Sequence, residues 1–314
     1  MKKFLFTVLM VALTFCLFAE GQQDAAAASF PEKPIRVVVY AGAGGQLDIT
    51  ARKFVEIAAK YTNATFVVEN KAGAGGLVGW EYVVSQPADG YNLMAVTKTL
   101  IANHVKDEFD VAPMSLDWIA FLINDAEAII TNANSKIRTI QDIIADAKAR
   151  AGQQIWVTPP GVDEVMTYKF WDKTGISGKY VPYDAGGQAM AAVIGQQAQV
   201  YVGNPVDVRG KPDLMMAAIS AEKRFAQFPD VPTLKELGVH GLDAESFWRG
   251  FAVKAGTPAN VVAWYDDLFA KLTADPDWKQ FNEKDGMEVV HIKKDKFNTI
   301  IESEIKDFKA YFNK

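Results

Sequence analysis

Cysteine is nearly missing from this chain of 314 residues: Cys16 is its single copy. With the leader that carries Cys16 removed, a disulfide framework and thiol catalysis are both excluded. Histidine is scarce too. His104, His240 and His291 lie far apart, and none has a metal-ligating neighbour at helical spacing, so no metal site is expected. No Gly-x-Ser-x-Gly elbow occurs, and no spacing among the carboxylates singles out an acid/base pair. Neither an enzyme nor a bound cofactor is therefore expected. Basic residues show no excess: 33 Lys and Arg against 38 Asp and Glu give a formal net charge of −5, with no basic stripe to suit nucleic acid. Beyond residue 18 no apolar run is long enough to span a bilayer.

What is present begins with a short positive segment, Met1-Lys2-Lys3, and an almost unbroken apolar run over residues 4–18. That length suits a signal-peptide core better than a membrane span. Residues 1–19 are read as a signal peptide cut after Ala19, and residues 20–29 as a flexible leader; a later cut within residues 25–28 stays open. Phe15 precedes Cys16, where lipoprotein processing prefers a small side chain. A cleaved, exported, periplasmic protein is therefore expected ahead of one anchored by lipid at Cys16.

Ala-Gly-Ala-Gly-Gly then occurs twice, at residues 41–45 and 72–76. Each copy follows a strand-like run, Ile-Arg-Val-Val-Val-Tyr at 35–40 and Thr-Phe-Val-Val-Glu-Asn at 65–70, and each precedes a helix-like run. A glycine turn at a helix start leaves backbone N–H groups free and lets a ligand approach the chain, and the helix dipole adds positive character there. Neither copy is followed by the Lys-Ser/Thr of a phosphate loop. Leu47 and Val78 stand where a dinucleotide fingerprint needs its last glycine. A carboxylate is therefore a better candidate than a nucleotide, although any tight strand-to-helix turn can use glycine for its own sake.

Strand and helix patterns alternate through the rest of the chain. Strands are expected at 92–97 and 126–133, and Thr139 with Asp142 has capping-box spacing at the start of a helix. A second series begins near Gln154. It has strands at 154–158, 180–183, 199–202, 214–220, 249–254 and 287–292, and helices at 165–173, 188–195, from Pro258 onward, and at 296–312. Two such series imply two α/β lobes with mostly parallel sheets, and a ligand in the cleft beyond the strands' carboxyl ends. The turn Asp184-Ala185-Gly186-Gly187 is a candidate wall of that cleft. The loop Thr158-Pro159-Pro160-Gly161-Val162-Asp163-Glu164 has two open readings: Asp163 caps the next helix with Glu164 favouring its N-terminus, or one of the two acids meets an ammonium group or bridging water. Most tryptophans are assigned to the core, with Trp156 and Trp248 expected nearer the cleft.

Several segments carry a family resemblance: VENKAGAGGLVG at 68–79, PADGYNL at 87–93, VPYDAGGQAM at 181–190, FPDVPTLKELG at 228–238, and Gly203-Asn204-Pro205. From about residue 30 onward the chain resembles the extracytoplasmic solute receptors of tripartite tricarboxylate transporters, the Bug family. The resemblance implies an α/β, two-lobed periplasmic-binding-protein fold of the Venus-flytrap type II class. Lobe 1 would comprise 30–128 plus 252–314, and lobe 2 would comprise 129–251. It implies a monomer that binds a small carboxylate (a di- or tricarboxylate, an aromatic acid or an amino acid) and delivers it to membrane permease subunits. Carried onto this chain, the ligand contacts fall on Gly42, Ala43, Gly44, Gly45, Gln46 and Asp48, and on Gly73, Ala74, Gly75 and Gly76. Thr97 and Thr99 follow, then Thr158, Pro160, Gly161, Asp163 and Glu164, then Ala185, Gly186, Gly187 and Asn204. Three departures bear on the ligand: Tyr40-Ala41 replaces the usual Pro-Phe or Pro-Tyr, the second-lobe loop is acidic instead of Ser- and Gly-rich, and a His after that loop is missing. An acidic loop would suit a zwitterion. A ligand sensor feeding a membrane kinase is the alternative role, because such a chain would look the same.

Overall fold

The computed structural model describes residues 30–183, 186–243, 245–284 and 286–312. The expected signal peptide and leader therefore lie outside the described residues. The first half runs β1 (Ile35–Val39), α1 (Gln46–Ala58), β2 (Phe66–Asn70), α2 (Leu77–Ser85), β3 (Asn92–Thr97), α3 (Lys98–Lys106) and β4 (Leu116–Ala126). The middle runs β5 (Ala128–Asn132), α4 (Ile140–Ala149), β6 (Ile155–Thr158), α5 (Val162–Thr174), β7 (Lys179–Pro182), α6 (Gly186–Ile194), β8 (Val200–Gly203) and β9 (Leu214–Ile219). The last part runs β10 (Ser246–Lys254), α7 (Ala259–Ala274), α8 (Pro276–Glu283), β11 (Glu288–Lys293) and α9 (Lys294–Phe312).

These strands form two sheets, one for each lobe, in the orders β11-β4-β10-β3-β1-β2 and β7-β6-β8-β5-β9. The expectation of mostly parallel sheets needs correction. β2, β1 and β3 pair in parallel, as do β7, β6 and β8, but β10, β4 and β11 join the first sheet antiparallel, and β5 and β9 the second. The chain passes from the first sheet to the second between Ala126 and Ala128, and it is back in the first sheet at Ser246. The expected return to lobe 1 after residue 251 thus falls inside β10, whose residues from Ser246 onward already pair with β4. Patterning hid this because Trp248 to Val253 is buried on both faces and shows no alternation.

Local sequence explains the elements. α1 buries Leu47, Ala51, Phe54, Ile57 and Ala58 at helical spacing, and α4 opens with the expected capping box, the Thr139 side chain accepting from the Asp142 amide. β3 is buried at all six positions because it lies inside its sheet with neighbours on both sides. Lobe 1 has one continuous apolar core, while lobe 2 packs a cluster on each face of its sheet. Val162 and Val165, at the start of α5 in lobe 2, are buried within the lobe 1 core. The second lobe is therefore docked on the first through this helix start. No helix among the described residues is long and apolar enough to cross a membrane.

Candidate functional site

The residues singled out in the sequence fall at the carboxyl ends of six parallel strands. Residues 42–48 follow β1, 73–76 follow β2, and Thr97 and Thr99 end β3 and open α3. Residues 158–164 end β6, Gly186 and Gly187 follow β7, and Asn204 follows β8. Ala185 lies outside the described residues.

In lobe 1 the first turn is exposed over residues 42–46, and no side chain caps the helix that it opens. Gly44 has φ +78°, and its amide donates to Asp48 Oδ2 at 2.9 Å. Asp48 also receives Arg52 Nε at 2.9 Å and Asn70 Nδ2 at 3.0 Å, while Asn70 donates again to the Ala41 carbonyl at 3.0 Å. The Arg52 hydrogen bond, helped by those from Gly44 and Asn70, outweighs burial and holds the Asp48 carboxyl at about 2. Asp48, expected among the ligand contacts, is thus an internal strut that ties the first turn to β2.

The second turn packs against the first strand's end. A Cβ on Gly76 would come within 2.5 Å of Leu100 Cδ1 and 2.7 Å of Tyr40 Cδ2, so only glycine fits there. Asn103 Nδ2 donates to the Gly75 carbonyl at 2.8 Å. The Tyr40 hydroxyl shares a 2.5 Å hydrogen bond with Thr97 Oγ1, and burial pushes that phenol up to about 12. Tyr40, Thr97 and the second turn therefore form one wall, with Gly73, Ala74 and Gly75 exposed along it and Thr99 half-buried beside it.

In lobe 2 the Thr158 hydroxyl lies 2.9 Å from the Val202 carbonyl and 3.1 Å from Asp163 Oδ2, within reach of both for its single proton. The Gly161 amide donates to Glu164 Oε2 at 3.2 Å, and the Tyr168 hydroxyl lies 3.4 Å from Glu164 Oε1. Glu164 therefore caps α5, whereas Asp163, expected as the cap, lies beside the Thr158 hydroxyl instead. Pro160 is exposed at its tip. Asn204 Nδ2 donates to the Ala126 carbonyl at 2.9 Å, which pins the end of β8 to the crossover. Its own amide and the Tyr201 hydroxyl both donate to Asp207 Oδ2 at 2.9 Å. Gly186 abuts the Tyr201 hydroxyl, while the space beside Gly187 is open.

The structure adds groups that the sequence reading passed over. Lys98, the first residue of α3, is buried between Glu245 at 3.1 Å and Glu304 at 3.6 Å. Burial opposes its charge, but Glu245, Glu304 and Glu127 hold its ammonium well above the usual range. Burial likewise opposes ionisation of Glu245, yet Lys98 and Lys169 together bring it down to about 2. Asp125 lies 3.4 Å from Arg249, and burial outweighs that long pairing and raises it to about 6. Glu127 sits alone between β4 and β5, and its sequence signal was legible: a single acid inside the apolar run Ala126-Glu127-Ala128-Ile129-Ile130. Trp156 and Trp248, expected near the cleft, are fully buried, their indole N–H groups donating to Gln154 and Glu304. They are core residues.

Two grooves open elsewhere between the lobes. One of about 820 Å³ is lined by Lys98, Lys169, Glu245, Phe308 and neighbours, and one of about 650 Å³ by Glu164, Tyr168, Trp171 and neighbours. Of the residues singled out in the sequence, only Glu164 lines either. The glycine turns line neither groove. Among the described residues no group of three or more potential ligands could hold a metal ion.

Residues 50–314 match a family model described as "Tripartite tricarboxylate transporter family receptor". A relative from Cupriavidus necator, the UPF0065 protein in the gbd 5'region, is 29% identical over 303 residues, covering 94% of this chain and 90% of its own. A TctC solute binding protein from Polaromonas, solved without ligand, is similar with a TM-score of 0.80 at 24% identity, covering 91% of this chain and 99% of that one. A protein of R. palustris solved with adipate has a TM-score of 0.74 at 20% identity, covering 90% of this chain and 96% of that one. The last two likenesses establish the two-lobed fold.

Proposed function

Since the chain belongs to the tripartite tricarboxylate transporter family receptors, a family of solute receptors and not of enzymes, we propose that it captures a small carboxylate between its lobes outside the cytoplasm and delivers it to membrane permease subunits. The observation that carries this reading is the placement of both Ala-Gly-Ala-Gly-Gly turns at the carboxyl ends of neighbouring parallel strands, exposed over residues 42–45 and 72–75 and with no side-chain cap on the helix that each one opens. Backbone N–H groups at such helix starts suit an anion. Each hydrogen bond to a charged group contributes about 1.5–3 kcal/mol. Four of them at the upper end, about 12 kcal/mol together, leave the roughly −8 kcal/mol of micromolar binding once an association cost of about 4 kcal/mol is subtracted. Glu164 already caps α5 and Asp48 already braces the first turn, so neither is left to pair with a ligand ammonium. That favours a plain small acid over a zwitterion. The adipate held by the R. palustris neighbour is an acid of this class.

The test is a thermal-shift screen over mono-, di- and tricarboxylates, aromatic acids and amino acids. An acid present at 100 times its dissociation constant adds about 2.7 kcal/mol of stability, enough to move the midpoint by several degrees. Response to one class of acid, with uptake of that acid lost from cells lacking the gene, is the expected outcome. Silence toward every acid would sink the carboxylate reading, and a response without any uptake defect would sink the transport role.

A further inference from the structure

We propose that Glu127 and Asp163 form a proton-binding site at the hinge, which holds one proton between them while the lobes are shut and releases it when they part. The proposal rests on the reading of the chain as a two-lobed receptor. Glu127 is the residue at which the chain crosses from lobe 1 to lobe 2; it is fully buried, and neither of its carboxyl oxygens has a hydrogen-bond partner. It faces Asp163 in the first turn of α5. Asp163 Oδ2 takes the Thr158 hydroxyl, but its Oδ1 is buried and also lacks a partner. Two ionised carboxylates can only accept, so neither satisfies the other. One proton turns one of them into a donor and removes the repulsion between like charges.

The surroundings favour that proton. Lys98 on α3 faces both acids, but its ammonium is held by Glu245 and Glu304. The other groups that face the pair are Glu245 on the return crossover, Asp207 beyond β8, and the Tyr201 and Tyr180 hydroxyls of β8 and β7. All are acidic or neutral. Among the described residues no Lys or Arg bonds either carboxyl. Burial, the largest influence on each, raises both acids above their ordinary range.

The link to lobe movement lies in α5. This helix starts one residue before Asp163, and its Val162 and Val165 are buried in the lobe 1 core. Parting the lobes draws the helix start away from that core and admits water to both acids, which then ionise as ordinary carboxyls do at neutral pH. Any ligand that favours the shut form therefore takes up a proton with it.

The test needs no ligand. Infrared spectra of the full protein between about pH 5 and 9 report the C=O stretch of a protonated carboxyl, and small-angle scattering on the same samples reports lobe closure. A protonated-carboxyl band that persists at pH 7 in the wild type is expected, and its loss in both Glu127→Gln and Asp163→Asn. The radius of gyration should rise as the band titrates away. It should stay at its compact value in Glu127→Gln, whose amide donates to Asp163 at every pH. Absence of the band in the wild type at pH 7 overturns the proton site, as does its undiminished persistence at pH 7, above the range where Asp125 holds a proton, in either folded variant. A band that titrates with no change in radius overturns the coupling to the hinge. None of these results depends on whether the protein answers to a carboxylate.

Discussion

The two glycine turns share a sequence, but the fourth residue of the first and the fifth of the second do different work. Gly44 has φ +78° with open space where a side chain would stand, whereas Gly76 has φ +108° and lies against Tyr40 and Leu100. Gly44→Ala therefore meets only backbone strain, about 1–2 kcal/mol, and should fold with its new methyl group in the path of an approaching ligand. Gly76→Ala adds a collision with two buried side chains and should cost more than Gly44→Ala in denaturant unfolding. If the two variants prove equally stable, the second turn does not pack as described. Asp48 is the other residue with a readable consequence. Asp48→Ala leaves the Gly44 amide without its acceptor and Asn70 with only the Ala41 carbonyl, a loss of about 1–3 kcal/mol. Its depressed carboxyl contributes stability that is complete above the ordinary carboxylate range and fades as pH falls toward 2. A wild-type advantage over Asp48→Ala that stays constant down to pH 2 would contradict that account.

Elements were legible where one periodicity dominated. The helices that follow β1 and Thr139, the strand over 92–97 and the closing helix all stand close to where the spacing put them. β4, α3 and α8 were not seen. β4 reads as Leu-Asp-Trp-Ile-Ala-Phe-Leu-Ile-Asn-Asp-Ala, almost all of it buried, so neither a two-residue nor a helical period stands out. α3 and α8 have nine and eight residues, too few for a periodic signal to build. The expected strand over 126–133 merges two elements, because only pairing partners show that the chain changes sheets at Glu127. The candidate site was legible as a set of turns, since glycine and capping residues act locally. Arg249 escaped, and so did the hydrogen bond of Tyr40 to Thr97, because both depend on which strands lie side by side. The hinge is the sharpest such case. Ser220 Oγ accepts from the Glu127 amide at 2.9 Å and donates to the Glu245 carbonyl at 2.6 Å, so one hydroxyl staples both crossovers. Ser220→Ala leaves two buried backbone groups unpaired and should cost about 1–3 kcal/mol. Amide exchange should quicken at Glu127 more than in the interior of β3. Uniform change across both strands would show that Ser220 is not a local staple.

At the scale of the whole molecule, buried carboxylates of two kinds oppose each other. Asp48, Glu245 and Asp275 are held at about 2, so the stability they add is present above the unfolded carboxylate range and is lost as pH falls below it. Asp125, raised to about 6 by burial, and the Glu127–Asp163 pair, raised for the same reason, act in the other sense. The unfolded chain releases these protons near pH 4, while the folded protein keeps them to higher pH. Between those limits the folded state binds more protons, so stability falls as pH rises. The two sets place the maximum in mildly acidic solution, below neutrality. Thermal midpoints measured between about pH 4 and 8 should therefore peak on the acid side and decline toward pH 8, with a shallower decline in Asp125→Asn. A midpoint that climbs steadily to pH 8 would mean that water reaches these acids in the resting protein, and that the lobes stand open at their hinge.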